Sequence, residues 1–410
     1  MNNKSSFRFL WVGQSLANCG DVFYIVGLIT LIYEVTGSAT YMALFPLINT
    51  LSRFFSGIVA PLFLDRFSLK RLLVVSQMGK TIFLLLIGVV STFMDVGSSI
   101  LFILLTCVAL VAFLDGWATP ARNTLIPQLV PKDKLVKVNS FLSTIDEFIQ
   151  LGAWPIGGIL IVIMGSGNVI SLTFVLFAIA TILMGFIREP VNLIHQEEIK
   201  EDVEPLNRRD SLKEGWITIW KTPSLRAITI VECIESMANV VWIAAIMYVY
   251  VDQVLHANEQ WWGYINTALS AGLMIGGFLG LKYDHMIETH LKFIIIASMF
   301  LVSLTNLAFG INSSTWLALF IPLLYGFLSV IKATAQQTIV QTAKISAKSL
   351  SKVYSAQDAI VFGTFGMSTL LLGYLTDIFG ARFPFLLSAA FLLLAAIILV
   401  MNQHHLKINK

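Results

Sequence analysis

Ionisable side chains interrupt several long apolar stretches of this 410-residue chain. Asp21 lies in the first stretch, Arg53 in the second, and Lys80 and Asp115 in the third and fourth. A charge in the hydrocarbon part of a membrane is costly, so such residues by default pair with one another or mark a path for protons or substrate. The chemistry that these residues predict is therefore proton transfer or ion pairing rather than bond cleavage.

Asp21 and Arg53 are predicted to lie at a similar depth in a bilayer. Asp21 follows the start of the first stretch at Phe9 by about 12 residues, or ~18 Å of helix, which places it near the bilayer midplane. Arg53 lies near the middle of the second stretch. Asp21 is either the structural partner of Arg53 or a proton carrier. Its side chain cannot reach an interface from that depth, so extension to the interface is disfavoured for Asp21. Of the two hypotheses we favour the proton carrier.

Other charges lie deep in later stretches. Glu232 and Glu235 are three residues apart in the seventh stretch and so share one helical face, and Lys332 lies in the tenth stretch. The remaining charges lie near the inner ends of their stretches and predict an inner-leaflet charge cluster of Lys80, Asp115, Asp146, Glu147 and Asp358. Satisfied ion pairs, or side chains that extend to the interface, are the structural alternative for each of them.

Large side chains lie near these charges. For any single one of them, core packing or lipid contact is the commoner role. As a group they fit the lining of a pocket for large amphipathic molecules. The predicted lining residues are Phe23, Tyr24, Phe113, Trp117, Trp242, Met247 and Tyr325.

The composition is that of a membrane protein. Hydrophobic residues make up 57% of the chain and charged residues 12%, with a mean hydropathy of +0.80, whereas soluble domains carry about 25% charge. A spanning helix needs about 20 mostly apolar residues. Twelve such stretches predict an all-α membrane protein with twelve transmembrane helices. They lie at about 9–34, 40–64, 72–94, 99–119, 140–163, 168–187, 226–251, 260–281, 292–311, 315–335, 354–376 and 383–402.

The predicted spans fall into two groups of six. Residues 1–187 form the amino-terminal half, 226–410 the carboxyl-terminal half, and 188–225 a polar linker between them. Residues 211–221 of the linker are predicted to form a short amphipathic helix on the membrane surface, with Trp216, Ile219 and Trp220 on one face. Two six-helix halves around a long connection are typical of secondary transporters built from repeats.

Lysine and arginine residues are concentrated on one side of the predicted membrane. Most of the 27 lie at the termini, in the linker or in loops on the linker's side, and Arg382 alone lies in the opposite loops. Because positively charged loops stay in the cytoplasm, both termini and the linker are predicted to be cytoplasmic. We expect a multi-pass protein of a bacterial-type cell membrane.

The connection between the fourth and fifth spans carries the most specific pattern. Residues 116–141 read GWATPARNTLIPQLVPKDKLVKVNSF, and this cationic, proline-rich stretch predicts a cytoplasmic loop. It resembles the corresponding loop of macrolide-efflux-type transporters, a branch of the major facilitator superfamily. The matching elements are Pro120-Ala121, Ile126-Pro127, Leu129-Val130-Pro131, Leu135 and Asn139-Ser140.

A weaker match lies between the second and third spans. The stretch APLFLDRFSLKRLLV resembles the superfamily loop motif G-x-L-x-D-R-x-G-R-[KR], although Pro61 stands in place of the first glycine. In the family this loop latches the cytoplasmic side, and an ordinary polar turn is the alternative. The resemblance implies a cytoplasmic latch formed by Asp65, Arg66, Lys70 and Arg71.

Small residues mark two further spans. The stretch GAWPIGGIL in the fifth span is a degenerate form of a drug-antiporter motif, and the eighth span carries a glycine stripe. The resemblance implies that these spans face each other across the two halves, and glycines allow such close approach. Packing within one half is the alternative. The glycines concerned are Gly157, Gly158, Gly272, Gly276, Gly277 and Gly280.

The resemblance implies a transporter whose first, fourth, seventh and tenth helices line a cavity. The leading hypothesis is a proton-coupled antiporter that exports hydrophobic or amphipathic small molecules of the drug or macrolide type. The fourth span lacks the arginine of many proton antiporters, since residues 108–116 read VALVAFLDG. The predicted proton-coupling and cavity residues are Asp21, Arg53, Glu232, Glu235 and Lys332.

Two other classes of protein are alternatives. The stretches GQSLANCGDVFY and LVKVNSF also resemble lysophospholipid transporters of the superfamily, so a lysophospholipid, siderophore or metabolite carrier is the alternative. An enzyme or channel is less favoured, because all six histidines lie in predicted loops or the tail and the chain shows no phosphate-binding loop. We expect no cofactor, no metal and no nucleic-acid partner, and a monomer whose partners are its substrate, protons and the lipid bilayer.

We predict that a cysteine introduced by Glu198→Cys is protected from membrane-impermeant thiol reagents in intact cells, because the linker faces the cytoplasm. The measurement compares labelling in intact and permeabilised cells. Ready labelling of intact cells would contradict the predicted orientation.

Overall fold

The computed structural model describes residues 3–36, 39–93, 98–188, 208–242, 244–258 and 260–406. These residues form helices joined by short turns, without a β-strand among them. The helices are α1 (Asn3–Thr36), α2 (Ala39–Leu64), α3 (Leu69–Phe93), α4 (Ser98–Leu129), α5 (Leu135–Gly185), α6 (Arg208–Lys221), α7 (Pro223–Ala238), α8 (Ala244–Gln253), α9 (Gln260–Lys282), α10 (Asp284–Thr289), α11 (Leu291–Ile311), α12 (Leu317–Gln341), α13 (Ala347–Phe379) and α14 (Arg382–Met401).

The helices confirm an all-α membrane fold. Among the described residues, ten helices are long and apolar enough to cross a membrane, and α7 with α8 would add an eleventh as one bent span. The segment Lys132–Gly185 counts as one of the ten but has 54 residues, or ~80 Å of helix, enough for two crossings of a hydrocarbon core about 30 Å thick. The helices are thus consistent with twelve spans.

A glycine divides α5 into the predicted fifth and sixth spans. Gly165 has φ 79° and ψ 163°, a conformation outside the helical region within an otherwise helical segment. Residues with a Cβ rarely adopt a positive φ, so glycine is the natural residue at this break. The predicted boundary between these spans, residues 163–168, contains this position.

The predicted loop between the fourth and fifth spans is largely wrong. Helix α4 continues through Pro120 and Pro127 to Leu129, and α5 begins at Leu135 after a 3₁₀ turn. Leu125 and Ile126 are fully buried. Burial of this face stabilises the helix against the cost of its prolines, which the sequence pattern of prolines and cations does not reveal.

The linker is described only in part. Residues 189–207, with Glu198, lie outside the described residues, whereas α6 confirms a helix over the predicted 211–221 segment. Trp216 and Trp220 are exposed, but Ile219 is only 2% exposed. The three residues therefore do not form the single apolar face that the sequence predicts. Ile219 packs against the protein, whereas both tryptophans are exposed.

The described helices form two compact units. Unit 1 comprises Met1–Pro131, Ile149–Ile217 and Ile345–Ala359, and unit 2 comprises Lys132–Phe148, Thr218–Lys344 and Ile360–Lys410. Each unit thus contains a short segment from the other half of the sequence. Unit 1 includes the beginning of α13, and unit 2 includes the beginning of α5.

Each unit has its own apolar core. In unit 1, α4 packs against α2 and α3, and one core cluster includes Leu28, Ile87 and Leu104. In unit 2, α9 packs against α12 and α11 packs against α14, and one core cluster includes Tyr250 and Phe309. These cores fix the helices that carry the charged residues.

The glycine stripe of α9 serves two contacts rather than one. A Cβ on Gly276 would overlap Val330 and Phe327 of α12, so this glycine packs within the carboxyl-terminal half. A Cβ on Gly277 would overlap Thr144 of α5, which agrees with the predicted contact between the fifth and eighth spans.

The other two glycines of the α9 stripe also contact either α12 or α5. A Cβ on Gly272 would meet the backbone of Leu323 in α12, and one on Gly280 would meet Ser140 in α5. In the fifth span, Gly157 packs on Phe23 of α1, and Gly158 has open space around it. The contact with α5 therefore rests on Gly277 and Gly280.

We predict that Gly277→Leu abolishes transport while the protein still inserts, because α5 and α9 are in contact at Thr144. Gly158→Leu is the control, since nothing lies within 4 Å of an added Cβ there, and it should keep the wild-type rate. The measurement is transport per inserted molecule. A wild-type rate in Gly277→Leu as well would show that this contact is not needed for transport.

Candidate functional site

Four charged side chains of unit 1 form a series of ion pairs. The Nζ atom of Lys80 lies 2.7 Å from Oδ1 of Asp21 and 2.9 Å from Oδ1 of Asp115. The Nη2 atom of Arg53 lies 2.6 Å from Oδ2 of Asp115. We call the series Asp21–Lys80–Asp115–Arg53 the charge chain. It is neutral when all four side chains are ionised.

Lys80 is the most buried member of the charge chain. Its side chain is 2% exposed, compared with 28% for Asp21 and 15% for Asp115. The ammonium also lies over the ring of Phe177, 4.8 Å from its centroid. A Cβ on Gly20 would come within 2.6 Å of that ring. The glycine beside Asp21 therefore gives Phe177 the space from which it contacts Lys80.

Hydroxyl groups fix α4 against its neighbours at the charge chain. The Oγ of Ser76 in α3 donates to the carbonyl oxygen of Leu114 at 2.8 Å. The Oγ of Ser56 in α2 donates to the carbonyl oxygen of Phe113 at 2.5 Å. Both acceptors lie within two residues of Asp115, so the two hydrogen bonds hold its carboxylate between Lys80 and Arg53.

The expected Asp21–Arg53 pair is corrected by this geometry. Asp21 pairs with Lys80, and Arg53 pairs with Asp115. A depth estimate made for each helix separately takes no account of the long lysine side chain, which carries its charge several ångströms from its own backbone. Lys80 thereby joins a residue expected at the midplane to one expected nearer the inner end.

The predicted inner-leaflet cluster is divided between the two units. Lys80 and Asp115 belong to the charge chain. Asp358 is half-buried in unit 1. Asp146 and Glu147 lie in the part of α5 that belongs to unit 2. A shared function for these residues stays a prediction.

Unit 2 contains a buried ion pair of its own. The Nζ atom of Lys332 in α12 lies 3.0 Å from Oε2 of Glu235 in α7. The side-chain amide of Gln336, one turn after Lys332, donates to Oε1 of Glu235 at 2.8 Å. Glu232 is half-buried one turn before Glu235. Glu235 is thus held by a lysine and an amide of α12.

Most of the predicted lining residues belong to the apolar cores. Trp242 lies 4.5 Å from Tyr325 between ring centroids, and the hydroxyl of Tyr325 donates to Oδ1 of Asn239. Met247 is 1% exposed. In unit 1 the lining residues are also buried or half-buried, so that a cavity-lining role stays a prediction for Phe23, Tyr24, Phe113 and Trp117.

The predicted latch residue Asp65 forms ion pairs with α13. Its Oδ1 lies 2.5 Å from Nζ of Lys352 and 3.4 Å from Nζ of Lys348, and its Oδ2 accepts from the hydroxyl of Ser211. Burial alone would raise the pKa of Asp65. Hydrogen bonds from Lys352 and Ser211, with the charges of both lysines, outweigh burial and hold this pKa below its usual range.

The other three predicted latch residues are cations, and two of them are more exposed than Asp65. Arg66 and Arg71 are exposed, and Lys70 is half-buried. Sequence reasoning missed Lys352 and Glu214, because both counted only as charges in cytoplasmic loops. The spacing of Lys348 and Lys352, one helical turn apart at the start of a span, is the signal that could have indicated a shared acidic partner.

Comparison with protein families agrees with this fold. Residues 10–356 match the model of the Major Facilitator Superfamily, and the chain belongs to that family. It is a multi-pass membrane transporter.

Relatives and solved structures extend the comparison. The chain is 30% identical to YfmI of Bacillus subtilis (strain 168), an uncharacterized MFS-type transporter, over 94% of this chain and 93% of that protein. It is 21% identical to macrolide efflux protein A of Streptococcus pyogenes over 100% and 98% of the two chains. A bacterial homologue of the iron transporter ferroportin shares its fold, with a TM-score of 0.76, 15% identity and coverage of 97% and 99%.

We predict that Asp115→Asn destabilises the protein more than Asp21→Asn does, although both remove one negative charge. Asp115 contacts two cations, whereas Asp21 contacts Lys80, which keeps Asp115 when Asp21 is changed. We expect losses of about 3 kcal/mol for Asp115→Asn and about 1 kcal/mol for Asp21→Asn. Thermal unfolding of the purified protein measures both, and equal losses would contradict the role assigned to Asp115.

Proposed function

We propose that this transporter exports hydrophobic or amphipathic small molecules of the drug or macrolide type, and that inward proton flow drives the export by antiport. The observation that carries the proposal is the charge chain, in which two carboxylates share one buried ammonium. The full-length similarity to a macrolide efflux protein supports the class of cargo.

The charge chain offers a route for exchanging a proton against cargo. Protonation of Asp21 releases one contact of Lys80, and the ammonium keeps its contact with Asp115. Protonation of Asp115 would release contacts with both Lys80 and Arg53. Asp21 is also the more exposed of the two acids. Proton uptake therefore costs fewer ion pairs at Asp21, and we assign the proton to it.

The change at Asp21 alters the field that a cargo experiences. With Asp21 protonated, the charge chain carries a net positive charge, and with Asp21 ionised it is neutral. A cationic or dipolar amphipathic molecule binds better to the neutral form. Proton and cargo then exclude each other, which is the condition that antiport requires.

We predict that Asp21→Asn abolishes uphill transport driven by a pH gradient and weakens cargo binding, because the amide mimics the protonated acid and leaves the charge chain with a net positive charge. The measurement uses proteoliposomes with an imposed pH gradient and a macrolide, a lipophilic cation or a lysophospholipid as cargo. Asp252→Asn, at an exposed position in α8, is the control and should transport as the wild type does.

Each result of this experiment has a distinct meaning. Uphill transport of the macrolide or the lipophilic cation by the wild type, lost in Asp21→Asn, supports the proposal. Gradient-driven transport of the lysophospholipid alone would favour the carrier alternative. Intact uphill transport by Asp21→Asn would remove Asp21 from the coupling site and shift the assignment to Glu232 and Glu235.

A further inference from the structure

A fully buried lysine joins three segments of unit 1. The side chain of Lys352 in α13 has an exposed fraction of 0%, and its ammonium contacts Asp65 at the end of α2 and Glu214 of the linker helix α6. Asp65 and Glu214 are 17% and 25% exposed. Two carboxylates around one buried ammonium replace the water that the cation loses on burial.

The linker helix α6 is fitted to this lysine by its backbone as well. Gly215 is buried, and a Cβ there would overlap the carbonyl group of Lys352. Ser211, one turn before, is 2% exposed and donates to the carboxylate of Asp65. Glu214 also accepts a hydrogen bond of 2.8 Å from the hydroxyl of Ser349. One face of α6, at positions 211, 214 and 215, is therefore occupied by contacts with α2 and α13.

We propose that Glu214 is a positioning residue for the transport cycle, and that through Lys352 the linker helix α6 locks the start of α13 to the end of α2. The lock consists of Asp65, Ser211, Glu214, Gly215 and Lys352. It differs from an ordinary loop contact because α6 contributes a carboxylate to the buried ammonium, a hydroxyl to Asp65 and a closely packed backbone against the carbonyl group of Lys352.

The lock controls a tight contact between two spanning helices. A Cβ on Gly57 of α2 would lie 3.2 Å from the Cβ of Ala359 and 3.2 Å from the carbonyl oxygen of Ser355, both in α13. This contact lies at the end of the spans that the cation distribution assigns to the cytoplasm. If α2 and α13 separate there during transport, Lys352 must leave Asp65, and α6 must give up its contact with either Asp65 or Lys352. The strength of the α6 contact then sets how often this end opens, whatever the cargo.

The test measures opening of the α2–α13 contact by thiol labelling. Ser355 is fully buried in that contact, so Ser355→Cys places a nearly isosteric thiol there, in a full-length protein whose Cys19, Cys107 and Cys233 are replaced by alanine. We expect Glu214→Gln to raise the rate of maleimide labelling about tenfold. Asp210→Asn, an exposed acid on the same helix, is the matched control and should leave the rate unchanged.

A double variant tests whether Glu214 acts through Lys352. Lys352→Met alone should raise the labelling rate by a similar factor, and Glu214→Gln with Lys352→Met should raise it no further. Gly215→Ala keeps all the charges but displaces α6, and it should also raise the rate.

Two results would overturn the proposal. One is a labelling rate for Glu214→Gln no higher than for Asp210→Asn. The other is a double variant whose effect equals the product of the single effects, which would mean that Glu214 acts independently of Lys352. Because labelling needs no cargo, these results are separate from the outcome of the export experiment.

Discussion

A lysine ammonium removed from water has to be surrounded by carboxylates, and this constraint organises the polar interior of the molecule. Lys80, Lys332 and Lys352 are all buried, and each has at least one carboxylate within 3.0 Å. Each of these lysines also joins at least two helices. Lys80 links α3 to α1 and α4, Lys332 links α12 to α7, and Lys352 links α13 to α6 and the residue after α2. The apolar cores hold the helices together, and the lysines determine which helix faces meet.

The sequence predicts the class of fold because its evidence is local. Apolar stretches of membrane length and the distribution of cations can each be read without knowing which helices are neighbours. The wrongly predicted loop at the end of α4 has the opposite cause, because the helix there depends on contacts with other helices. Pro120 and Pro127 suggest a loop, and only the burial of Leu125 and Ile126 against other helices explains why the helix continues to Leu129.

The sequence predicts which residues belong to the candidate site, but it does not predict which of them form ion pairs with one another. Asp21, Arg53, Lys80 and Asp115 can all be selected because each is a charge in an apolar stretch. Which of them meet depends on helix rotation and on the reach of each side chain, and neither follows from a single sequence. Lys352 and Glu214 fall outside that selection altogether, because a charge at the end of a span looks solvated until the neighbouring linker helix covers it.

Among the ion pairs of the described residues, the number of carboxylates in contact with each lysine separates a pair that can exchange protons from one that holds structure. If a proton neutralises Glu235, Lys332 loses its carboxylate at 3.0 Å. If a proton neutralises Asp21, Lys80 keeps Asp115 at 2.9 Å. Lys352 similarly keeps one acid when it leaves the other. An ammonium held by two carboxylates can therefore give up one of them without becoming an unpaired buried charge. By this reasoning the charge chain and the lock are the places where a proton or a helix movement costs least, and the Glu235–Lys332 pair is the more rigid element between α7 and α12.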